Sequence, residues 1–267
     1  MRISFVKEGE DMDRKKLIRH LVKNDYKVIT RDRFLLLVFV LIVFIAAVLK
    51  FGLPWLNIYL AEHGILPNPA FSKSLADFYP MIIASFVLFQ GGLLAGTILG
   101  FACIDEKEDN TIKALLTSPL SLNFYVFYRI VLATVFAFLT ILFQFLFINL
   151  AAVPSWQMII LSLAGSLAAP IILLFYAIFA QNKVQGFAMS KFAGIAGWVI
   201  MFGWFVSEPW QWLFGLFPPF WISKAYWMIL DGNSFWWVSL TIGIIMQCGL
   251  IYLFARLFKR VVYLVNG

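Results

Sequence analysis

The stretch Phe124–Val153, FYVFYRIVLATVFAFLTILFQFLFINLAAV, runs for 30 residues with a single charge, Arg129. At 1.5 Å per residue, a helix of that length more than crosses an apolar layer about 30 Å thick. Its apolar residues cover every face, so it has no polar side to turn toward water. The rest of the chain is of the same kind: of 267 residues, 62% are hydrophobic and only 13% charged. Soluble domains are about 45–50% apolar and about 25% charged. A water-soluble fold could not cover the surplus, and the bilayer is therefore the solvent to reason with.

Five further apolar blocks accompany the first. Together they give an all-α membrane protein with six spans, Phe34–Leu53, Pro80–Cys103, Phe124–Val153, Gln157–Ala180, Phe187–Val206 and Phe235–Phe258. The first span is long, follows 33 polar-rich residues and lacks a small-x-small cleavage site, so it is expected to stay rather than leave as a signal peptide. Orientation follows from the cations. Ten Lys and Arg precede the first span, and Lys107, Lys113, Arg129, Lys183, Lys191, Arg256, Lys259 and Arg260 fall on the same side. That places 18 of 21 on one face and leaves Lys50, Lys73 and Lys224 for the other, the positive-inside pattern of a plasma-membrane protein with both termini in the cytoplasm. Nine of the ten tryptophans, all but Trp198, fall at external ends or loops, where an indole suits the headgroup layer. The net charge of +7 is topological in this arrangement and does not point to nucleic acid as a partner.

Two segments outside the spans carry structure of their own. Asp13–Thr30, in the cytoplasmic N-terminus 1–33, aligns Leu17, Leu21 and Val28 beside Ile18, Val22 and Ile29, with Arg14, Lys15, Arg19, Lys23 and Lys27 at other positions. This predicts an amphipathic helix lying in the interface, or one packed on a partner. Residues 207–234 include PWQWLFGLFPPFW, which is too short to cross and holds Pro218 and Pro219. An external re-entrant or interfacial helical hairpin bent at the prolines, with Trp221 just beyond them, is expected; an aromatic loop on the outer surface is the alternative.

No catalytic constellation is present. The sequence lacks G-x-x-x-x-G-K-[ST], H-E-x-x-H, C-x-x-C and G-x-S-x-G. His20 and His63 fall on opposite sides of the membrane, and no metal site can be built from them. Lys50, Arg129 and Lys191 lie near span ends, where long side chains reach the interface. Gln90 and Gln247 come near span centres. Either they hydrogen-bond between helices, the preferred reading, or they face a translocation path. Gly92, Gly96 and Gly100 form a small-residue stripe that allows close helix contact, within this chain or with a second copy.

The most informative polar segment is the loop 104–123, IDEKEDNTIKALLTSPLSLN. Asn110 can cap a short helix from Thr111 to Thr117, Pro119 stops it, and Ser121 caps the third span. Glu106 and Glu108 are among four acids that precede this helix, on the side its dipole favours. Ile112, Leu115 and Leu116 have no lipid to cover them, which suits docking into a groove on another protein or tucking beneath the bundle.

Glu106-Lys107-Glu108-Asp109-Asn110-Thr111, then Leu115-Leu116-Thr117-Ser118-Pro119-Leu120-Ser121 and Arg129, resembles a stretch of the ABC-2 (type 2 exporter) permease family, E-[KR]-E-x-G-T followed by leucines and T-P-x-S. Asn182–Gly186 resembles a second cytoplasmic turn of these permeases, and Pro218-Pro219-Phe220-Trp221 with Lys224-Ala225-Tyr226-Trp227 resembles their external P-P-[FY]-W segment. The sequence departs from the family at Asn110, where Gly is usual, and at Ser118, which separates Thr117 from Pro119. The resemblance implies a bacterial exporter permease that pairs with a second permease copy or with a related chain. It also implies a separate ATPase subunit that binds ATP and Mg²⁺, with Glu106–Ser121 as the coupling element, Asp13–Thr30 as the connecting helix, and no cofactor in this chain. Two other classes compete with it. A stand-alone secondary transporter or channel would want acids at mid-span, and an intramembrane enzyme would want a His, Asp or Glu cluster at one depth.

Overall fold

In the computed structural model, residues 23, 26–27, 30–66, 74–109 and 122–266 are described, with side chains to 261. All elements among them are helical. Six are long and apolar enough to cross a membrane: α1 Arg33–Glu62, α2 Leu75–Glu108, α3 Leu122–Ile148, α4 Ser155–Phe179, α5 Lys183–Phe205 and the last, Trp236–Val261. A shorter helix, α6 Pro218–Leu230, precedes the last span, α7, whose helix runs from Trp236 to Asn266. The chain is a multi-pass membrane protein. With six alternating spans, the start of α1 and the end of α7 fall on one face, the termini face.

The central post is α2. In its most apolar window 78% of residues are buried, against 22–33% for α1, α3, α5 and α7, so the other helices are arranged around it. Its glycine stripe explains how α4 comes so near. A Cβ on Gly96 would lie 2.5 Å from the Ala169 carbonyl oxygen, and one on Gly100 would lie 2.7 Å from the Tyr176 ring. Gly92 faces Gly165 O at 3.1 Å in the same way. The stripe's partner is therefore α4 of the same chain, which closes the alternative of a second copy for these three residues.

Helix α1 runs nine residues past the expected end at Leu53 despite Pro54. The turn Val48–Gly52 is π-helical. There each carbonyl is met by the N–H five residues on, so the N–H that proline lacks leaves less of a gap. Lys50 consequently sits well inside a helix rather than at its end. Its ammonium lies 4.2 Å from the centre of the Phe147 ring, next to the last residue of α3, so at that depth α3 is already ending.

Opposite the termini, the chain after α5 makes a 3₁₀ helix Trp210–Leu216, turns at an extended Phe217, and enters α6. The two prolines do not break α6 but open it, since the first turn of a helix needs no N–H. Trp221 and Trp227 correct the interfacial reading of the tryptophans: both are buried, with Nε1–H donated to Gly215 O at 2.9 Å and to Pro80 O at 3.2 Å. A buried indole that finds a carbonyl packs like any core aromatic. Tyr226 adds a third anchor by donating to Ala151 O at 2.7 Å, in the α3–α4 connection where Asn149 and Ala151 have positive φ. Of the amphipathic segment Asp13–Thr30, most lies outside the described residues, while Lys23, Tyr26, Lys27 and Thr30 are helical and exposed.

Candidate functional site

Two places in the bundle combine polar chemistry with position. The first is the termini-face end of α2 and its neighbours. Glu106, two residues before the end of α2, is buried and ion-paired with Arg129, two turns into α3. Tyr125, one turn before Arg129, donates its hydroxyl to Glu106 Oε2 at 2.5 Å and accepts from Arg129 Nε at 3.2 Å, while Cys103 Sγ approaches the same hydroxyl at 3.7 Å. The Tyr125 hydroxyl and two nitrogens of the Arg129 guanidinium thus each meet a carboxylate or hydroxyl oxygen, the arrangement that keeps a buried ion pair tolerable. The expectation that Arg129 reaches the interface fails for this reason: an internal carboxylate holds it.

Around this pair lies a second, shallower network. Lys183, the first residue of α5, places its ammonium 2.6 Å from Asp32 Oδ2 and 2.8 Å from Asp105 Oδ1, and its backbone N–H donates to Glu108 Oε1 at 3.3 Å. Lys107 donates to Ala180 O at 3.2 Å. Asp32 is also the N-cap of α1 and accepts from Phe34 N at 2.8 Å and from Leu35 N at 3.3 Å. The ends of α1, α2, α3 and α5 are therefore tied together at the root of residues 110–121. Within that segment Asn110, Thr111, Ile112, Leu115, Leu116 and Pro119 lie outside the described residues.

Partial burial pushes the Asp32 carboxyl upward, but the Lys183 ammonium and the two N–H groups outweigh it and hold the carboxyl below the ordinary aspartate range. A lowered folded value means that the contribution is complete at neutral pH and is lost as pH falls through that value. Asp32→Ala should cost about 1 kcal/mol. Thermal unfolding in detergent at neutral pH should resolve this deficit, and in acid the variant and the parent should converge.

The second place is a cavity of about 270 Å³ between α2 and α5, lined by Ser85, Phe86, Phe89 and Gln90 on one side and by Gly194 and Trp198 among others on the other. Ser85 lies in a π-helical turn of α2, Ala84–Phe89, a local widening that often marks functional positions. Its buried Oγ has no hydrogen-bond partner among the described residues. A Cβ on Gly194 would meet nothing within 4 Å, so that wall is open. Gln90 thus joins a cavity. Gln247, by contrast, is wholly buried and donates to Ala164 O at 3.2 Å, and the two glutamines do not share a site. Pro218, Pro219 and Trp221 belong to the packed roof described above.

Sequence reading missed the pairing of Glu106 with Arg129. Asp32, directly before an apolar run, had the signature of an N-cap. Nothing in the sequence pointed to Ser85.

A polytopic helical bundle with a charged knot at one face and a polar-aromatic cavity between α2 and α5 is the build of a membrane transport protein. The chain belongs to the family described as "Fluoroquinolones export permease protein Rv2686c-like", whose model matches residues 25–255. It is 30% identical over 208 residues to the fluoroquinolones export permease proteins Rv2686c and MT2760 of two strains of Mycobacterium tuberculosis, covering 73% of this chain and 81% of each of them.

Proposed function

We propose that this chain is the membrane-spanning subunit of an ATP-driven exporter of the ABC-2 class, working as a pair with a second permease copy and driven by a separate ATPase subunit. The observation that carries this reading is the buried Glu106–Tyr125–Arg129 group at the root of residues 110–121, in a chain whose family is one of export permeases. The ATPase supplies ATP and Mg²⁺ chemistry; this chain supplies the lever. Because α2 and α3 are joined by charge-assisted bonds in a dry setting, a push on the loop between them moves both together. Lys183 extends that motion to α5 through Asp105. The cavity between α2 and α5 then changes shape, which is how nucleotide turnover reaches the substrate.

The relatives' name directs the substrate reading to fluoroquinolones, and the cavity suits one planar aromatic ring system. Phe86, Phe89 and Trp198 offer ring faces, and Ser85 and Gln90 offer a hydroxyl and an amide for a carbonyl or carboxylate. The exposed α5 side chains Phe192, Ile195, Trp198 and Phe202 leave a face for the second copy. Positive-inside asymmetry puts the termini face in the cytoplasm, with export directed away from it.

Gly194→Phe tests the path. Its ring has room to form and would fill the cavity. Fluoroquinolone efflux from cells expressing the variant with its ATPase is expected to fall about tenfold at unchanged protein level. Unchanged efflux at equal protein level would place the path elsewhere.

A further inference from the structure

The face opposite the termini holds another cavity, about 510 Å³, between the end of α5, the loop after it and α6. That volume lies in the range of small-molecule sites, about 300–1,000 Å³. Its aromatic wall is fixed in place. Trp227 is buried and anchored through Pro80 O, and Trp204 meets it edge-to-face with ring centres 4.9 Å apart.

The charges around this wall are unequal. The Lys224 ammonium is already taken by Glu208, and its stem is largely buried. Gln211, also on the wall, has its Nε2–H committed to Gly203 O. Asp231, at the end of α6, is exposed and has no ion-pair partner among the described residues. The cavity therefore presents indole faces and one uncompensated carboxylate. An anion entering it meets that carboxylate while the one nearby cation is neutralised. An organic cation gains both the carboxylate and the negative faces of the rings.

We propose that this cavity binds an aromatic organic ammonium ion arriving from the water on that face, its ring against Trp204 and Trp227 and its charge toward Asp231. Binding needs neither an ATPase nor a second copy, so it stands or falls apart from the transport reading.

The test is titration calorimetry on the purified full chain in detergent, with benzyltrimethylammonium as probe and benzenesulfonate as its anionic counterpart. The expected result is saturable binding of the cation alone, weakened about fivefold by Asp231→Asn and about fivefold by Trp204→Leu. Asp231→Asn changes an exposed residue, so it remains informative if Trp204→Leu fails to fold. Absence of saturation with the cation, equal binding of benzenesulfonate, or wild-type affinity in Asp231→Asn would each overturn the proposal. Failure of ATP-driven export would contradict the exporter reading and leave this result intact.

Discussion

Arg129→Met is expected to destabilise the protein by about 3–5 kcal/mol and to abolish export, because it leaves the Glu106 carboxylate buried without its cation. Tyr125 still donates one hydrogen bond to it, which does not replace a guanidinium. Glu106→Gln strands the opposite charge, the Arg129 guanidinium, and should be milder only because the amide oxygen still accepts from Tyr125 and Arg129. The informative comparison is the triple variant Glu106→Met, Tyr125→Phe, Arg129→Met. Replacing a buried ionic group with apolar residues of similar volume is often neutral or stabilising, so this variant should regain the parent's unfolding temperature in detergent. Export should stay lost if the group transmits force rather than only filling space. Recovery of both stability and export would reduce the pair to packing.

The second large effect is at Gly96. Its missing Cβ would stand 2.5 Å from Ala169 O and 2.9 Å from Ile172 Cβ. One obstacle is backbone, so side-chain rearrangement cannot relieve the contact, and α4 has to move away from α2. Gly96→Ala should cost at least the 1–3 kcal/mol typical of overpacking, and Gly96→Leu should leave no monodisperse protein on size-exclusion chromatography. Gly194→Ala provides the opposite sign. It meets nothing within 4 Å, and alanine is the better helix former by about 1 kcal/mol. Equal stability of the two alanine variants would contradict the packing described for α2 and α4.

The six spans were legible because a bilayer demands long, uniformly apolar helices, and α3 announces itself in any window of its sequence. The glycine stripe was legible as a close-packing face, but its partner was not, since spacing alone does not say which helix approaches. The site was harder for the same reason. Glu106 read as a loop acid and Arg129 as an interfacial cation, because each was judged by its own segment. Only the juxtaposition of α2 and α3 turns them into a pair. Lys50 shows the converse: it read as a cation near the end of a span that stopped at Leu53, and a π turn of five residues lets the helix continue through Pro54. Ser85 and the cavity around it depend on another π turn, which no side-chain pattern encodes.

We propose that this permease moves its substrate only when an ATPase drives it. The direct measurement is fluoroquinolone uptake into inside-out vesicles containing the chain alone, the ATPase subunit alone, or both, each with ATP or with a non-hydrolysable analogue. Accumulation is expected with both subunits and ATP, and in no other combination. Uptake by the chain alone, without ATP, would contradict it.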